Sequence, residues 1–496
     1  MTLANIHTAQ LLGDHAIPTV VEIHIGHGLP QFSIVGIPDG PCRETRDRVR
    51  AAILNTPGCT WPMQRITVAT NPQTPRVTAS MDLAIALGVL IASHQFDAER
   101  VNDITFIGEL GLDGTLRRVP GIVALVHDAS TPLIVIPQTQ HVTPLRTNQH
   151  VVHAPNLLQV LGSLESLQWP TPTQPAPPRT QAALFEDVHV NDEAISALVI
   201  AATGRHSILL RGTTGSGKTM LPLCLPTIMP KLGAQERVDV ERIHSAAGLH
   251  EHPGSDQVPL RTPHHSTSAA AVLGGATTAI RPGELSCAHH GVLSLDNLPK
   301  FAPAILDGIY AASRNGSIAI QRAARSIVLP ARFLLVATTN DCPCAAPPRQ
   351  CRCSTAAKDR HQRRIGNAAA FDLQLTVEPV LGPVHRWTTR DAQTIVADAT
   401  SVAMKRQGCR NGELTDTELD RVAKLSAGSQ TMLEDALRTG TLSARGASRV
   451  RRVARTIADL QRNDGEVLPT DAVKCAYELH QHSTEPDSTL TLSLRH

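Results

Sequence analysis

The sequence predicts an α/β protein of several domains, and three observations carry that expectation. Short segments of alternating apolar and polar residues stand among helical patterns in the first third of the chain. An apolar strand runs into a Gly-rich segment near residue 212 and then into another helical pattern. From about residue 386 to 485 the chain reads as amphipathic helices alone.

At 496 residues the chain has room for two to four domains. Apolar residues make up 42%, enough for packed cores, and the net charge is only +2, so any nucleic-acid footprint must be local. With 7 Phe, 3 Trp and 2 Tyr, the cores rest on Leu, Ile, Val and Ala, and little is left for stacking on bases. No apolar run approaches a bilayer span, and the first ten residues lack the plan of a secretory signal, so a cytoplasmic protein off the membrane is expected.

Residues 1–165 form a first unit. Val20 to Ile25, Gln31 to Ile37 and Arg65 to Thr70 read as strands, Cys42 to Leu54 and Met81 to Ser93 as helices, and FIGEL and LIVIP as further strands. Residues 166–182 carry Pro170, Pro172, Pro175, Pro177 and Pro178, which points to a stiff extended linker. A nucleotide-binding α/β core is expected over 183–385, a helical unit over 386–485 and a frayed tail over 486–496.

Gly212, Thr213, Thr214, Gly215, Ser216, Gly217, Lys218 and Thr219 satisfy the G-x-x-x-x-G-K-[ST] phosphate-loop pattern in full, directly after the apolar residues Ile208 to Leu210. Glycines let backbone N–H groups turn inward around phosphates, and the following helix aims its positive end at them. Lys218 is expected on the β- and γ-phosphates of ATP and the Thr219 hydroxyl on Mg²⁺. Downstream, GVLSLDN is an apolar strand ending in Asp296, which would hold Mg²⁺ through water. A third strand ends at Asn340, where a polar side chain can orient the attacking water.

Cys342, Cys344, Cys351 and Cys353 form C-x-C-x₆-C-x-C. Four thiolates suit tetrahedral Zn²⁺ at about 2.3 Å per bond; a redox pair or idle thiols are the alternatives. The intervening prolines suit a stiff knuckle, and the cluster directly follows Asn340, so a metal would brace that loop.

These residues resemble the ComM/YifB family of Mg-chelatase-like AAA+ proteins. The resemblance rests on Gly28 to Ile53, MDLAIALGVL and FIGELGLDGTLRRV in the first unit. In the core it rests on the phosphate loop, TPHHSTSAAAVLGG, RPGELSCAHHGVLSLDN and the cysteine cluster, and in the last unit on LSARGASRVRRVARTIADL. It implies an N-terminal ribosomal-S5-domain-2-like fold of the Lon-protease kind, an AAA+ core, a helical lid and assembly into a hexameric ring. It also implies action on branched or single-stranded DNA, as in branch migration during transformation. The first unit contains no lysine, so a Ser–Lys peptidase site is excluded there. Arg445 matches the lid arginine that senses the γ-phosphate.

Three positions depart from the family pattern. Asn297 stands where a water-polarising Glu belongs, and an amide cannot take a proton. Asp372 falls where the arginine finger aligns, and a carboxylate there would repel phosphate. Ser294 replaces a large apolar residue in the Asp296 strand. The reading is therefore an ATP-binding ring protein of the ComM type with impaired hydrolysis. Its alternatives are a non-catalytic scaffold or regulator of an active paralogue, and, more remotely, a metal-chelatase motor subunit.

His264-His265 and His289-His290 stand before the Asp296 strand, and the first pair is placed to contact DNA or simply to pack. Arg438, Arg445, Arg449, Arg451, Arg452 and Arg455 cluster late in the chain. Arg445, Arg449 and Arg452 share one helix face, suited to a phosphate backbone or to a solvated or inter-subunit surface.

Overall fold

A long antiparallel hairpin opens the chain. In the computed structural model β1 (Thr2–Leu12) and β2 (His15–Gly26) pair along their whole length, from Thr2 opposite Ile25 to Leu12 opposite His15. Gly13, at a φ of 70°, starts the two-residue turn where only glycine is unstrained. The residues described are 2–73, 78–142, 148–166, 168–169, 183–249, 255–275, 280–322, 325–346, 350–365, 371–378 and 387–481. They divide into two compact units, the first comprising Met1–Arg179, Arg237–Ser255 and Thr277–Pro282, the second the remainder.

In the first unit, β3 (Gln31–Ile34), α1 (Asp39–Leu54), β4 (Arg65–Asn71), α2 (Asp82–Ala92), β5 (Ile104–Phe106), β6 (Glu109–Leu110), β7 (Leu116–Arg117), α3 (Ile122–His127), β8 (Leu133–Pro137), β9 (His150–Ala154) and α4 (Leu157–Ser166) follow. A seven-stranded mixed sheet runs β3-β4-β2-β1-β5-β8-β9. Val21, Ile23 and Ile25 alternate into the core, as period two requires. Helix α2 is buried on every side. It lies so close to the sheet that a Cβ on Gly88 would stand 2.1 Å from Ile23 Cδ1. Its first residue, Asp82, is sealed from solvent and held by Arg48 Nε at 2.8 Å. The segment 237–255 joins this unit through Arg242, 2.6 Å from Asp128.

The second unit contains α5 (Asp192–Gly204), β10 (Ile208–Arg211), α6 (Leu221–Ile228), part of α7 (Ala234–Ala247), β11 (Leu260–Arg261), α8 (Ala269–Leu273), α9 (Glu284–Cys287), β12 (Val292–Leu295) and α10 (Pro303–Asn315). The antiparallel ribbon β13 (Ser317–Arg322) and β14 (Arg325–Pro330) precedes β15 (Leu334–Thr339), α11 (Thr355–Ile365) and β16 (Leu373–Thr376). Five strands form a parallel sheet in the order β11-β12-β15-β10-β16. All point the same way, so the loops that follow β10, β12 and β15 leave from one end, where open α/β sheets bind ligands. Leu209, Leu293, Leu295, Leu335 and Ala337 supply the sheet's part of a core completed by Leu298, Ile305, Ile309 and Phe371.

Helices α12 (Thr389–Gln407), α13 (Asp416–Val422), α14 (Ala427–Arg438), α15 (Ala444–Leu460) and α16 (Thr470–Gln481) complete the unit, with no strand among the described residues of this stretch. The stripe read on α15 is real: Val450, Val453 and Ile457 are fully buried. The proline-rich residues 170–182 and the tail fall outside the described residues. No helix among the described residues is long and apolar enough to cross a membrane.

Candidate nucleotide and metal site

Strand β10 is buried at all four residues and delivers the chain to Gly212. There φ is 146°, and a Cβ would lie 2.5 Å from the carbonyl oxygen of Val377, so this position needs glycine twice over. Gly217, at φ 87°, packs its bare α-carbon toward Val190. Lys218 folds back across the loop, and its Nζ donates to the Thr213 carbonyl at 2.5 Å. Burial draws the Lys218 ammonium below its ordinary pKa, against the opposing pull of Asp341 and Asp296.

The helix after the loop begins later than the motif leads one to expect. Residues 218–220 form turns, and α6 starts at Leu221. Pro222 and Pro226 lack the N–H groups that would bond back to residues 218 and 222, which shortens the regular helix to 8 residues.

The structure brings Thr219 and Asp296 together: the threonine hydroxyl lies 3.4 Å from Asp296 Oδ1, and both residues are exposed. Thr338 Oγ1 donates to the same Asp296 oxygen at 2.6 Å and accepts the Asn297 backbone N–H at 3.0 Å. A hydroxyl and a carboxylate, both open to solvent and adjacent, are the oxygen donors that Mg²⁺ takes while keeping several waters. Asn297 adopts a left-handed backbone, φ 58° and ψ 60°, a conformation asparagine tolerates better than glutamate. Asn340 follows β15 directly, half-buried, with its carbonyl accepting from His361 Nε2 at 2.8 Å. Ser294 is buried in β12 opposite Val336.

Sequence reasoning missed Asp341 and Thr338. Asp341 is simply the residue after a strand-end Asn, and by pattern Thr338 is an ordinary strand residue. Neither carries a motif.

The four cysteine sulfurs converge. Those of Cys342, Cys344, Cys351 and Cys353 all lie within 4.8 Å of one another, and Cys342 and Cys351 are 3.2 Å apart. A tetrahedral Zn²⁺ site has sulfur–sulfur edges of about 3.8 Å, so the set fits a metal of that kind with small adjustments. The Cys353 backbone N–H, then the Cys342 side chain, draw the Cys351 thiol down to about 7, toward the thiolate a metal binds. The prolines between the pairs, 347 and 348, lie outside the described residues.

Of the arginine face read as suited to a phosphate backbone or to a solvated or inter-subunit surface, Arg449 and Arg452 have partners within the chain. Arg449 Nε is 3.4 Å from Asp372, Arg452 donates to the Leu414 carbonyl at 2.7 Å and pairs with Asp416, and Arg451 pairs with Asp420. Arg455 is fully buried beside Asp459 at 2.9 Å. Asp416 and Asp420 on α13, Asp459 on α15 and Asp372 just before β16 attract these guanidinium groups. Arg445 and Arg438 are exposed, Arg438 paired with Asp435. Asp372, read as aligned with a trans-acting arginine finger, accepts within its own chain from the Ser207 N–H and hydroxyl. The two rings of each histidine pair lie against each other at a tilt, with centroids 4.0 Å apart for His264 and His265 and 3.9 Å for His289 and His290.

An α/β core with a parallel five-stranded sheet, a phosphate-loop sequence after a central strand and a helical unit behind it fits the AAA+ class. The comparisons narrow this. Residues 184–382 match the family described as magnesium chelatase, subunit ChlI; residues 21–140 match subunit ChlI of Mg-chelatase, and residues 387–474 its C-terminal region. The chain is 34% identical over 481 residues to the uncharacterized protein YifB of Escherichia coli, covering 94% of each. It is 33% identical over 484 residues to the competence protein ComM of Haemophilus influenzae, covering 93% of this chain and 94% of that one. It is 34% identical over 464 residues to an uncharacterized Mycobacterium tuberculosis protein, Rv2897c, covering 89% of this chain and 91% of the relative. The chain belongs to the ComM/YifB family of Mg-chelatase-like proteins.

Proposed function

We propose that this protein binds ATP with Mg²⁺ in the loop Gly212–Thr219, assembles as a hexameric ring and acts on DNA in the manner of ComM, with impaired hydrolysis. The observation that carries the reading is the meeting of Thr219 and Asp296 at the mouth of a complete phosphate loop. In this reading Lys218 leaves the Thr213 carbonyl for the phosphates, Thr219 and Asp296 hold the magnesium, and Asn340 and Asn297 face the attacking water. Magnesium would supply charge neutralisation to the β- and γ-phosphates. Asn297 can donate to a water or accept from it but cannot take its proton, so turnover is slow. Arg445, exposed at the start of α15, is assigned to the γ-phosphate. Residues 1–165 are assigned the S5-domain-2-like fold and 386–485 the lid, and the protein is assigned to the cytoplasm. The four cysteines hold structural Zn²⁺.

A second reading is a nucleotide-locked scaffold that regulates an active paralogue. Asn297 favours it, as does Asp372, which occupies the aligned finger position and is already engaged by Ser207. The deciding experiment is ATP binding by calorimetry beside steady-state turnover, with and without branched DNA. Tight binding with negligible turnover fits the proposal. Ordinary turnover removes the impairment, and a folded protein that binds no nucleotide removes the whole reading.

A further inference from the structure

The loop that bears the cysteines is fastened to the phosphate loop at two levels. At its neck, residues 340–341 and 361–362 close on each other. His361 Nε2 lies 2.8 Å from the Asn340 carbonyl oxygen, and Gln362 Nε2 donates to that of Asp341 at 3.4 Å. The same Gln362 side chain accepts from Arg211 NH1 at 3.4 Å, and Arg211 is the residue before Gly212. At its tip, a turn closes from the Ala345 N–H to the Cys342 carbonyl at 3.0 Å, with Ala345 at φ 56°. That left-handed turn presents the Ala345 carbonyl to the Thr214 hydroxyl at 3.5 Å, on the crown of the phosphate loop. Both outer contacts are long, and each depends on where the cysteine loop is held.

We infer that the four-cysteine cluster is a metal-dependent clasp on the phosphate loop, so that a soft divalent cation and a nucleoside triphosphate bind with positive linkage. This rests on the zinc reading above and adds to it a consequence for nucleotide affinity. Four sulfur–metal bonds fix Cys342 and Cys344 relative to Cys351 and Cys353. They thereby fix the Ala345 carbonyl and the spacing of the neck. Removing the metal frees the tip, and Thr214 and Arg211 lose partners that hold the loop in one shape. Ordering that loop then falls to the nucleotide, and affinity drops. Linkage is reciprocal, so bound nucleotide must tighten metal binding by the same factor.

The test begins with metal analysis of full-length protein purified under reducing conditions; about one zinc per chain is expected. Binding of a fluorescent ATP analogue with Mg²⁺ is then measured before stripping with a chelator, after it, and after adding back one equivalent of Zn²⁺. Circular dichroism monitors the fold. Stripping is expected to weaken binding about tenfold, and Zn²⁺ to restore it. Should the stripped protein unfold, the reciprocal measurement serves: saturating nucleotide must lower the metal's equilibrium transfer to a chromophoric chelator about tenfold. Gln362→Ala should keep its zinc while shrinking the linkage. Stoichiometric zinc with equal nucleotide affinity in folded holo and stripped protein overturns the clasp and leaves the zinc reading intact. Where stripping unfolds the chain, transfer unaffected by nucleotide overturns the clasp in the same way. Folded protein that carries no metal and takes up none from micromolar Zn²⁺ overturns both.

Discussion

The carboxylate of Asp372 takes two hydrogen bonds from Ser207, one from its backbone N–H and one from its hydroxyl, each 2.8 Å long. Ser207 stands one residue before β10, and Arg449 of α15 approaches the other Asp372 oxygen at 3.4 Å. Asp372 thus braces the base of the phosphate-loop strand against α15. Asp372→Ala is expected to lower the stability of the second unit by about 2 kcal/mol, since buried donors lose a charged acceptor. Asp372→Arg should cost at least as much and should not restore turnover. Urea denaturation of the variants checks this, and an unchanged midpoint would contradict the bracing role.

Lys218→Ala is expected to weaken nucleotide binding about 100-fold, or about 2.7 kcal/mol, because a charge-assisted contact to phosphate is lost while the glycine loop remains. Calorimetry reads the loss directly. A variant that binds as well as the parent protein would place the phosphates elsewhere.

Asn297→Glu should raise steady-state turnover by a factor of about 10² if the missing base is what limits hydrolysis. The gain comes with about 1 kcal/mol of backbone strain, because residue 297 is left-handed. Parent protein that already turns over at ordinary rates would remove the premise.

Acid should destabilise the second unit before its carboxylates titrate. His206 is fully buried, with Nε2 2.6 Å from Thr456 Oγ1, and burial pushes its pKa down to about 4. The unfolded chain takes up this proton near pH 6.5, the folded chain only near 4. The unfolded state therefore binds more protons between those values, and stability present above 6.5 is lost as pH falls. By pH 5 the loss is about 2 kcal/mol. His289, also held neutral by burial, steepens the same slope. His206→Gln should flatten the fall between pH 7 and 5; an unaltered slope would assign it to other groups.

Asp459→Ala should be among the most damaging single changes in the C-terminal helices. Asp459 neutralises the fully buried Arg455 at 2.9 Å and Arg406 at 2.7 Å. Removing it strands two guanidinium groups, at a cost of about 3–5 kcal/mol. Thermal unfolding measures this.

The legible parts of this protein are those encoded by local pattern. The phosphate loop, Asp296 and Asn340 each stand at the end of an apolar run, and strand-end position is a sequence property. The cysteines converge because their chain spacing already keeps them near. Strand β1 is hard to read because, although Asn5 and His7 alternate with buried Ala4, Ile6 and Thr8, only Ile6 of those three is strongly apolar; the strand is held by full-length pairing with β2. The fate of the arginines was hidden for a different reason. Arg449 finds Asp372 and Arg452 finds Asp416 across long stretches of chain, and no local pattern encodes such partners. The late start of α6 was readable from Pro222 and Pro226.

The parallel arrangement of β11, β12, β15, β10 and β16 separates scaffold from chemistry. Ladder bonds belong to backbone atoms inside the strands, whereas Asn297, Asn340 and the glycine loop hang beyond the strand ends. Such a protein can exchange a catalytic side chain for an inert one and still fold, so lineages built on this sheet are free to drift from motor to binder without passing through an unfolded ancestor.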